Sequence, residues 1–499
     1  MIVNFKTLTE KNNFSANNLS IFSFSFCRAV PLKKLLSRKL SKKDNGVEVG
    51  SINYIKNSPK IFIKAKSLSE KSYLLSLENE TFEYIRPQVF KNISLKKGDL
   101  IISKDSNIGE VGFVWDDMPN AMLSSAMYKL PISKYKYYIA SFLKSSLFRN
   151  QLNILVPKGA TIRHAGVKFL DCLIPFSDDN KVTEFLDLIS KYVVLIEIKM
   201  REKEEKIFDV IDKDLKEHST QKNRESLNCV QISELMNENR LDVGMYSEDY
   251  RRIQDLINNY DNGVFSFDEL GYSISRGQNL QVSSIGKSIY SNKNLHDYYC
   301  LILSNSITNH MTFHTDNYLG SKKQLKVIKK GDIIFTCRGN LGKCFVLCND
   351  LKAITNIDNV HISSKKHSLE ENIALACFLH YLQIINHLNN IAIQGSGADS
   401  FTKYHFDKIK IPNFKQKIIK ELSNIYNHDF KFSISENEDD FTKTINSLGL
   451  YQLELLKNTI VNNIQKAFKD ISQGNRLNKN NILESIYKEY LEVDYGANF

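Results

Sequence analysis

No two of the eight prolines in this 499-residue chain are adjacent. An adenine methyltransferase needs an Asn/Asp-Pro-Pro-aromatic loop to receive a flipped base, so that activity is excluded. A phosphate-cradling loop needs Gly-x4-Gly-Lys-Ser/Thr; Gly286-Lys-Ser288 ends in that way, but Gln281 stands where the first glycine is required. No His-Glu-x-x-His and no Gly-x-Ser-x-Gly occurs among the eleven histidines and the serines, so neither a zinc hydrolase helix nor a serine elbow is present. His361, His367, His380 and His387 read as satisfied structural histidines.

Paired cysteines are also missing. The eight thiols at 27, 172, 229, 300, 337, 344, 348 and 377 form no Cys-x-x-Cys and no disulfide-framework spacing, which fits a reducing cytoplasm. Cys337, Cys344 and Cys348 come nearest to a metal cluster; on an alternating strand Cys344 and Cys348 share a face, and they read as packing residues. The apolar stretch from Ile21 to Cys27 is short and broken by serines, and no window approaches the roughly 20 apolar residues a membrane helix needs. Neither export nor membrane insertion is supported.

What the chain has is the composition of a folded protein, with 42% hydrophobic and 25% charged residues, and a length suited to two domains plus connecting helices. The net charge of +11 is unevenly spread. Residues 1–180 hold 27 Lys and Arg against 15 Asp and Glu, whereas 221–413 hold 21 against 19. An excess of that size on one domain suits a polyanion partner, because neutralising phosphates releases counterions; a lysine-rich solvated surface gives the same count.

An internal repeat organises the sequence. Lys97-Gly-Asp-Leu-Ile-Ile-Ser-Lys-Asp-Ser-Asn-Ile-Gly109 recurs without a gap as Lys330-Gly-Asp-Ile-Ile-Phe-Thr-Cys-Arg-Gly-Asn-Leu-Gly342, an offset of 233 residues. Lys-Gly-Asp makes a turn, the apolar run a buried strand and Asn-x-Gly a second turn, so each copy is expected to be strand-turn-strand. Gly98, Gly109, Gly331 and Gly342 are its turn formers. A second pair of segments follows in the same order: Gly159-Ala-Thr through Ile174-Pro175, and Gly397-Ala-Asp through Ile411-Pro412.

Helical stretches follow each Ile-Pro. Val182, Leu186, Ile189, Val193, Ile196, Met200, Lys203, Ile207 and Val210 alternate steps of four and three, the seam of a coiled coil, with a Lys/Glu mixture on what should be solvated faces. Some 36 residues of helix make a rod of roughly 54 Å. A second stripe starts at Ile418, Leu422 and Ile425, is interrupted by the acidic, loop-like 435–440, and resumes at Leu453, Leu456, Ile460 and Ile464. It is expected to pack antiparallel on the first. Residues 474–499 read as a polar joint and a short helix.

The order of globular segment, long helix, globular segment, long helix resembles the specificity (S) subunit of type I restriction-modification enzymes. The resemblance rests on the two Lys-Gly-Asp segments with Gly109 and Gly342, on Gly159-Ala-Thr before Ile174-Pro175, and on Arg276-Gly-Gln-Asn-Leu-Gln ahead of Ile285-Gly-Lys-Ser. It implies an α+β fold in which two similar mixed α/β target recognition domains are separated by long helices packed as an antiparallel coiled coil. The corresponding segments are 1–178 and 221–413 for the recognition domains, 179–220 and 414–473 for the conserved helical regions, and 474–499 for a tail. The implied partners are double-stranded DNA, two DNA adenine methylase subunits and, through them, restriction/translocase subunits, with no membrane. S-adenosylmethionine, ATP and magnesium would belong to those partners, and this chain would hold no cofactor, no metal and no catalytic residue.

Side chains suited to DNA are Arg and Lys for guanine, Asn and Gln for adenine, and Lys, Ser and Thr for phosphates. The candidates in polar loops are Lys104, Lys158, Thr161, Arg163 and His164 in the first half. In the second half they are Arg276, Gln278, Asn279, Lys322, Lys323, Arg338, Ser396 and Lys403. Three other readings stay open on sequence alone: a specificity chain for a combined nuclease-methylase of another restriction class, a two-headed nucleic-acid-binding scaffold, and a stand-alone nuclease.

Overall fold

The computed structural model describes residues 24, 26–78, 80–91, 93–105, 107–156, 166–219, 232–238, 243–315, 317–392, 400–428 and 434–494. The chain divides into two compact units, Met1–Ile198 with Ile434–Thr442 and Lys457–Glu489, and Lys199–Ser433 with Lys443–Leu456 and Tyr490–Phe499.

The first unit carries β1 (Arg28–Pro31), β2 (Ile61–Ile63), β3 (Phe82–Tyr84), β4 (Leu100–Ser103), β5 (Val111–Phe113), β6 (Ala121–Leu123), β7 (Met127–Leu130) and β8 (Leu173–Phe176), with helices α1 (Lys136–Leu143) and α2 (Ser146–Leu155). Its sheets run β3-β2-β6, β5-β4-β7 and β1-β8, and only β2 and β6 are parallel. β4 is buried along its whole length, which is why it reads as an unbroken apolar run rather than an alternating one. Ile63, Leu75, Ile101, Leu123 and Met127 form the core between these strands.

Helix α3 (Asn180–Glu217) starts in the first unit and ends in the second. The second unit then holds α4 (Glu248–Asn258), β9 (Val264–Phe265), β10 (Ser273–Arg276), β11 (Ser288–Ser291), β12 (Tyr299–Ile302), β13 (Tyr318–Ser321), β14 (Ile333–Thr336), β15 (Cys344–Val346), β16 (Ala353–Thr355) and β17 (Asn359–Ser363). Helices α5 (Leu369–Ile384), α6 (His387–Ile391) and α7 (Lys403–Asp407), strand β18 (Ile411–Pro412) and helix α8 (Gln416–Tyr426) complete it. The sheets run β11-β13-β12-β16, β10-β17-β14-β15 and β18-β9. They reproduce the first unit's topology, including one parallel pair, β12 with β16, and add an edge strand to each of the two larger sheets.

The duplicated turns coincide bond for bond. Gly98 (φ 81°) donates its N–H to Val114 O at 2.8 Å, and Gly331 (φ 88°) to Leu347 O at 2.8 Å. The Asp99 carboxylate accepts the Lys96 N–H at 2.8 Å, and that of Asp332 the Lys329 N–H at 2.9 Å. Gly109 and Gly342 also have positive φ, and here close approach adds a second demand. A Cβ on Gly109 would lie 2.6 Å from Leu152 Cδ2 of α2, and one on Gly342 would lie 2.9 Å from Gln383 Cγ of α5. The Ile-Pro segments match as well: Ile174-Pro175 pairs antiparallel with β1 and Ile411-Pro412 with β9.

The distal helices are α9 (Glu438–Ser447), α10 (Leu450–Ser472) and α11 (Lys479–Asp494). Helix α10 begins in the second unit and ends in the first, the opposite sense to α3. Three expectations are corrected here. The acidic 435–440 run is loop only through Asn437, because Glu438, Asp439 and Asp440 are the first turn of α9, where negative charge suits the helix dipole, and Asn437 Oδ1 accepts the Asp439 N–H at 2.9 Å. The seam of α3 also leaves its heptad register after Ile207: Val210 is only half-buried, and the buried stripe continues through Ile211 and Leu215. An unsupercoiled helix drifts this way. The Lys/Glu face is likewise not all solvated, since Glu197 and Asp214 are buried.

Candidate nucleic-acid interface

β10 ends at Arg276, and the chain then passes so close to 355–356 that only glycine fits: a Cβ on Gly277 would lie 2.2 Å from Asn356 O. Gly277 donates its N–H to Asn359 O at 3.0 Å and Gln278 to Thr355 O at 2.7 Å. Gly46 makes the same passage in the first unit, donating to Met127 O at 3.0 Å, with a would-be Cβ 1.9 Å from Ser124 O. Sequence reasoning missed this pair, because its offset of 231 slips by two residues from that of the main repeat.

Arg276 spans two loops, donating from Nη2 to Phe401 O at 2.8 Å and from Nη1 to Ile357 O at 3.2 Å. Phe401 in turn donates its N–H to Cys337 O at 2.9 Å, and Arg338 bridges to Ser400. Arg276, Gln278, Arg338 and Lys403 are thereby gathered at one end of the β10-β17-β14-β15 sheet, with Arg338 and Lys403 exposed. Lys326 joins them unforeseen: its Nζ reaches Ser275 Oγ at 2.5 Å, and its N–H donates to Gln278 Oε1 at 3.3 Å. Asn279 turns inward on its own loop, its Oδ1 accepting the Gln281 N–H at 3.1 Å. Lys322 and Lys323 sit apart from this group, exposed just beyond β13, with Lys323 Nζ 3.1 Å from Ser284 O.

In the first unit Lys104 is half-buried, its ammonium 4.9 Å from the centre of the Tyr128 ring. Lys158, Thr161, Arg163, His164 and Ser396 lie outside the described residues.

The buried groups near these loops are structural. Burial pushes the Cys337 and Cys344 thiols up to about 12. His380 Nε2 lies 2.7 Å from Glu204 Oε1 and His310 Nδ1 lies 2.8 Å from its Oε2, and these histidines hold the Glu204 carboxyl well below its usual range. His367 Nε2 meets Leu270 O at 2.8 Å. His361 and His387 are only partly satisfied, since His361 Nε2 and His387 Nδ1 are buried without a hydrogen-bond partner. Among the described residues, no three His, Cys, Asp or Glu side chains could hold a metal ion, and no helix is long and apolar enough to cross a membrane.

Residues 280–438 match the family model described as the type I restriction modification DNA specificity domain. No curated protein matches. Solved structures similar to the chain include the type I specificity subunit of M. genitalium (11% identity, 92% of this chain and 95% of that one, TM-score 0.31). The HsdS subunit of Thermoanaerobacter tengcongensis is similar at 12% identity (91% and 98%, TM-score 0.27). A chain from a study of type I system assembly and conformational transition is similar at 11% identity (91% and 99%, TM-score 0.29). Superpositions this loose leave the assignment to the family match and the internal duplication. The match lies almost wholly in the second unit, and the same hydrogen-bonded frame recurs 233 residues earlier in the first.

Proposed function

We propose that this chain is the DNA-reading subunit of a type I restriction-modification complex and performs no catalysis itself. Each unit recognises one half of a bipartite double-stranded target. The long helices dock two adenine methylase subunits, which in turn recruit the restriction/translocase subunits. S-adenosylmethionine, ATP and magnesium act in those partners, and the complex works in the cytoplasm.

One observation carries this reading: a match to a DNA specificity domain in a chain that holds its frame twice. The positive excess of the first 180 residues and the Arg276, Arg338, Lys326 and Lys403 group support it, since polyanion binding needs such surfaces. The recognition segments are taken as 1–178 and 221–413, and the docking helices as 179–220 and 414–473. Mapping modified adenines genome-wide, with and without the chain, should reveal a split sequence that depends on it. Exchanging 1–178 for another recognition domain should change one half of that sequence only; unchanged methylation after the exchange refutes the proposal.

A further inference from the structure

Strand β11 is an edge strand of unusual exposure. It pairs with β13 through Ser288↔Ser321, Ile289↔Gly320, Tyr290↔Leu319 and Ser291↔Tyr318. Successive strand residues point to opposite faces. Ile289 is nonetheless 65% exposed and Tyr290 61%, so neither face of the strand is covered. At the corresponding edge of the first unit, the described residues make a single bridge, Tyr54 to Ile85. Gly320, opposite Ile289, leaves room for the Tyr298 ring, which lies only 2.6 Å from where a Cβ would stand.

Two exposed apolar side chains on an open edge invite another protein strand. The charge around them favours a different occupant. Residues 270–296 and 317–331, which contain the ribbon and its approaches, hold eight Lys and Arg and no Asp or Glu, with Glu269, Asp297, Asp316 and Asp332 just outside these bounds, so the positive excess is local to the strand and its turns. Lys287, Lys322 and Lys323 stand exposed where the ribbon ends, beside Ser288 and Ser321. A protein edge docking there would gain little from so one-signed a surface, whereas duplex DNA gains from every lysine. β13 is held on its other side by β12 and its Leu319 is fully buried, so β11 is the part that stands free; the major groove is wide enough to admit it, and its thymine methyls offer apolar contacts.

We propose that β11, the free edge of the β11–β13 pair, enters the DNA major groove edge first at the half-site read by the second unit, so that Ile289 on one face and Tyr290 on the other both meet base edges, with Lys287, Lys322 and Lys323 on the flanking phosphates. The proposal rests on the DNA-specificity reading and adds to it the element that reads.

The test is selection of random-sequence duplexes by the full-length chain, with affinity followed against salt. The wild type should select two separated blocks of bases. Ile289→Ser/Tyr290→Ser should lose one block and about tenfold or more in affinity for the selected DNA, with the other block and the salt slope unchanged. Lys287→Gln/Lys322→Gln/Lys323→Gln should keep both blocks, while the slope of log affinity against log salt becomes shallower by about 2 to 3. Ile289→Thr/Tyr290→Thr, which retains strand propensity, supplies the same comparison if the serine pair perturbs folding. Retention of both blocks by the serine and threonine pairs, together with an unchanged slope in the glutamine variant, overturns the ribbon proposal and leaves the DNA-specificity reading intact. Failure of the wild type to select any sequence overturns that reading and the ribbon with it. Loss of a co-purifying protein with DNA selection unchanged would make the ribbon a protein-docking edge, which also overturns the proposal.

Discussion

Glu197 of α3 and Lys457 of α10 form a buried ion pair, Oε1 to Nζ at 3.6 Å, with side chains 3% and 8% exposed. The second carboxylate oxygen accepts the Tyr73 N–H at 2.7 Å, the Leu74 N–H at 3.2 Å and the Ser72 hydroxyl at 3.0 Å. One side chain thus ties two long helices to a loop of the first unit. Removing either charge strands the other away from water, which costs about 3 to 5 kcal/mol. Lys457→Met alone should lower stability by that order, and Lys457→Met with Glu197→Gln by clearly less than the sum of the single variants. Denaturant unfolding of the four proteins checks this, and additive costs would show the pair uncoupled.

The duplicated glycines should differ in cost in a set order. Gly98→Ala faces positive φ alone, since the nearest atom to its Cβ is Lys136 Nζ at 3.5 Å. Gly109→Ala meets positive φ and two contacts under 3.0 Å, to Leu152 and Phe148. A loss of about 1 kcal/mol is expected at Gly98, with at least twice that at Gly109. Thermal midpoints in the reverse order would contradict the steric account.

These turns were legible because their chemistry is local: Lys-Gly-Asp and Asn-x-Gly each specify a backbone conformation from adjacent residues. The Ile-Pro strands were legible by their order along the chain. What escaped depended on distant partners. Glu204 reads as one more charge in a solvated Lys/Glu face, yet it is paired with His310 and His380, more than a hundred residues on. Lys326 carries no local signal that sets it apart from the lysines around it, and only the fold brings it to Ser275. The 435–440 run carries a capping asparagine and acidic first turn as plainly as any helix start, and was obscured because the same residues also suit a loop. Arg276 was legible as a polar loop residue near the interface, but its two carbonyl acceptors were not, since both lie in other loops.

Acid should weaken the second unit through two buried imidazoles. Burial, with Lys326 nearby, pushes His361 down to about 4, and burial pushes His387 down to about 3. Both lie below the ordinary value of about 6.5, so the unfolded chain takes up protons first as pH falls. Stability is therefore full above about pH 7 and declines through the window between 6.5 and the folded values. At pH 5 the His361 contribution amounts to roughly 2 kcal/mol. His361→Gln should flatten the decline between pH 7.5 and pH 5 by that order, and an unchanged pH profile in urea unfolding would show that His361 does not titrate as its burial requires.

Arg276 distinguishes a residue that builds the reading surface from one that touches phosphate. Its guanidinium is committed to Phe401 O and Ile357 O, which hold the loops bearing Lys403 and Asn356 in place. A phosphate contact would contribute about 0.9 to the salt slope, whereas a strut contributes nothing to it directly. Arg276→Gln should therefore weaken DNA binding with little change in slope, and should raise the protease sensitivity of the segment around Ser400. Arg276→Lys should rescue poorly, because a single ammonium cannot reproduce a fork that serves two carbonyls. Full rescue by lysine, or a slope shallower by about one, would instead place this residue on the DNA backbone.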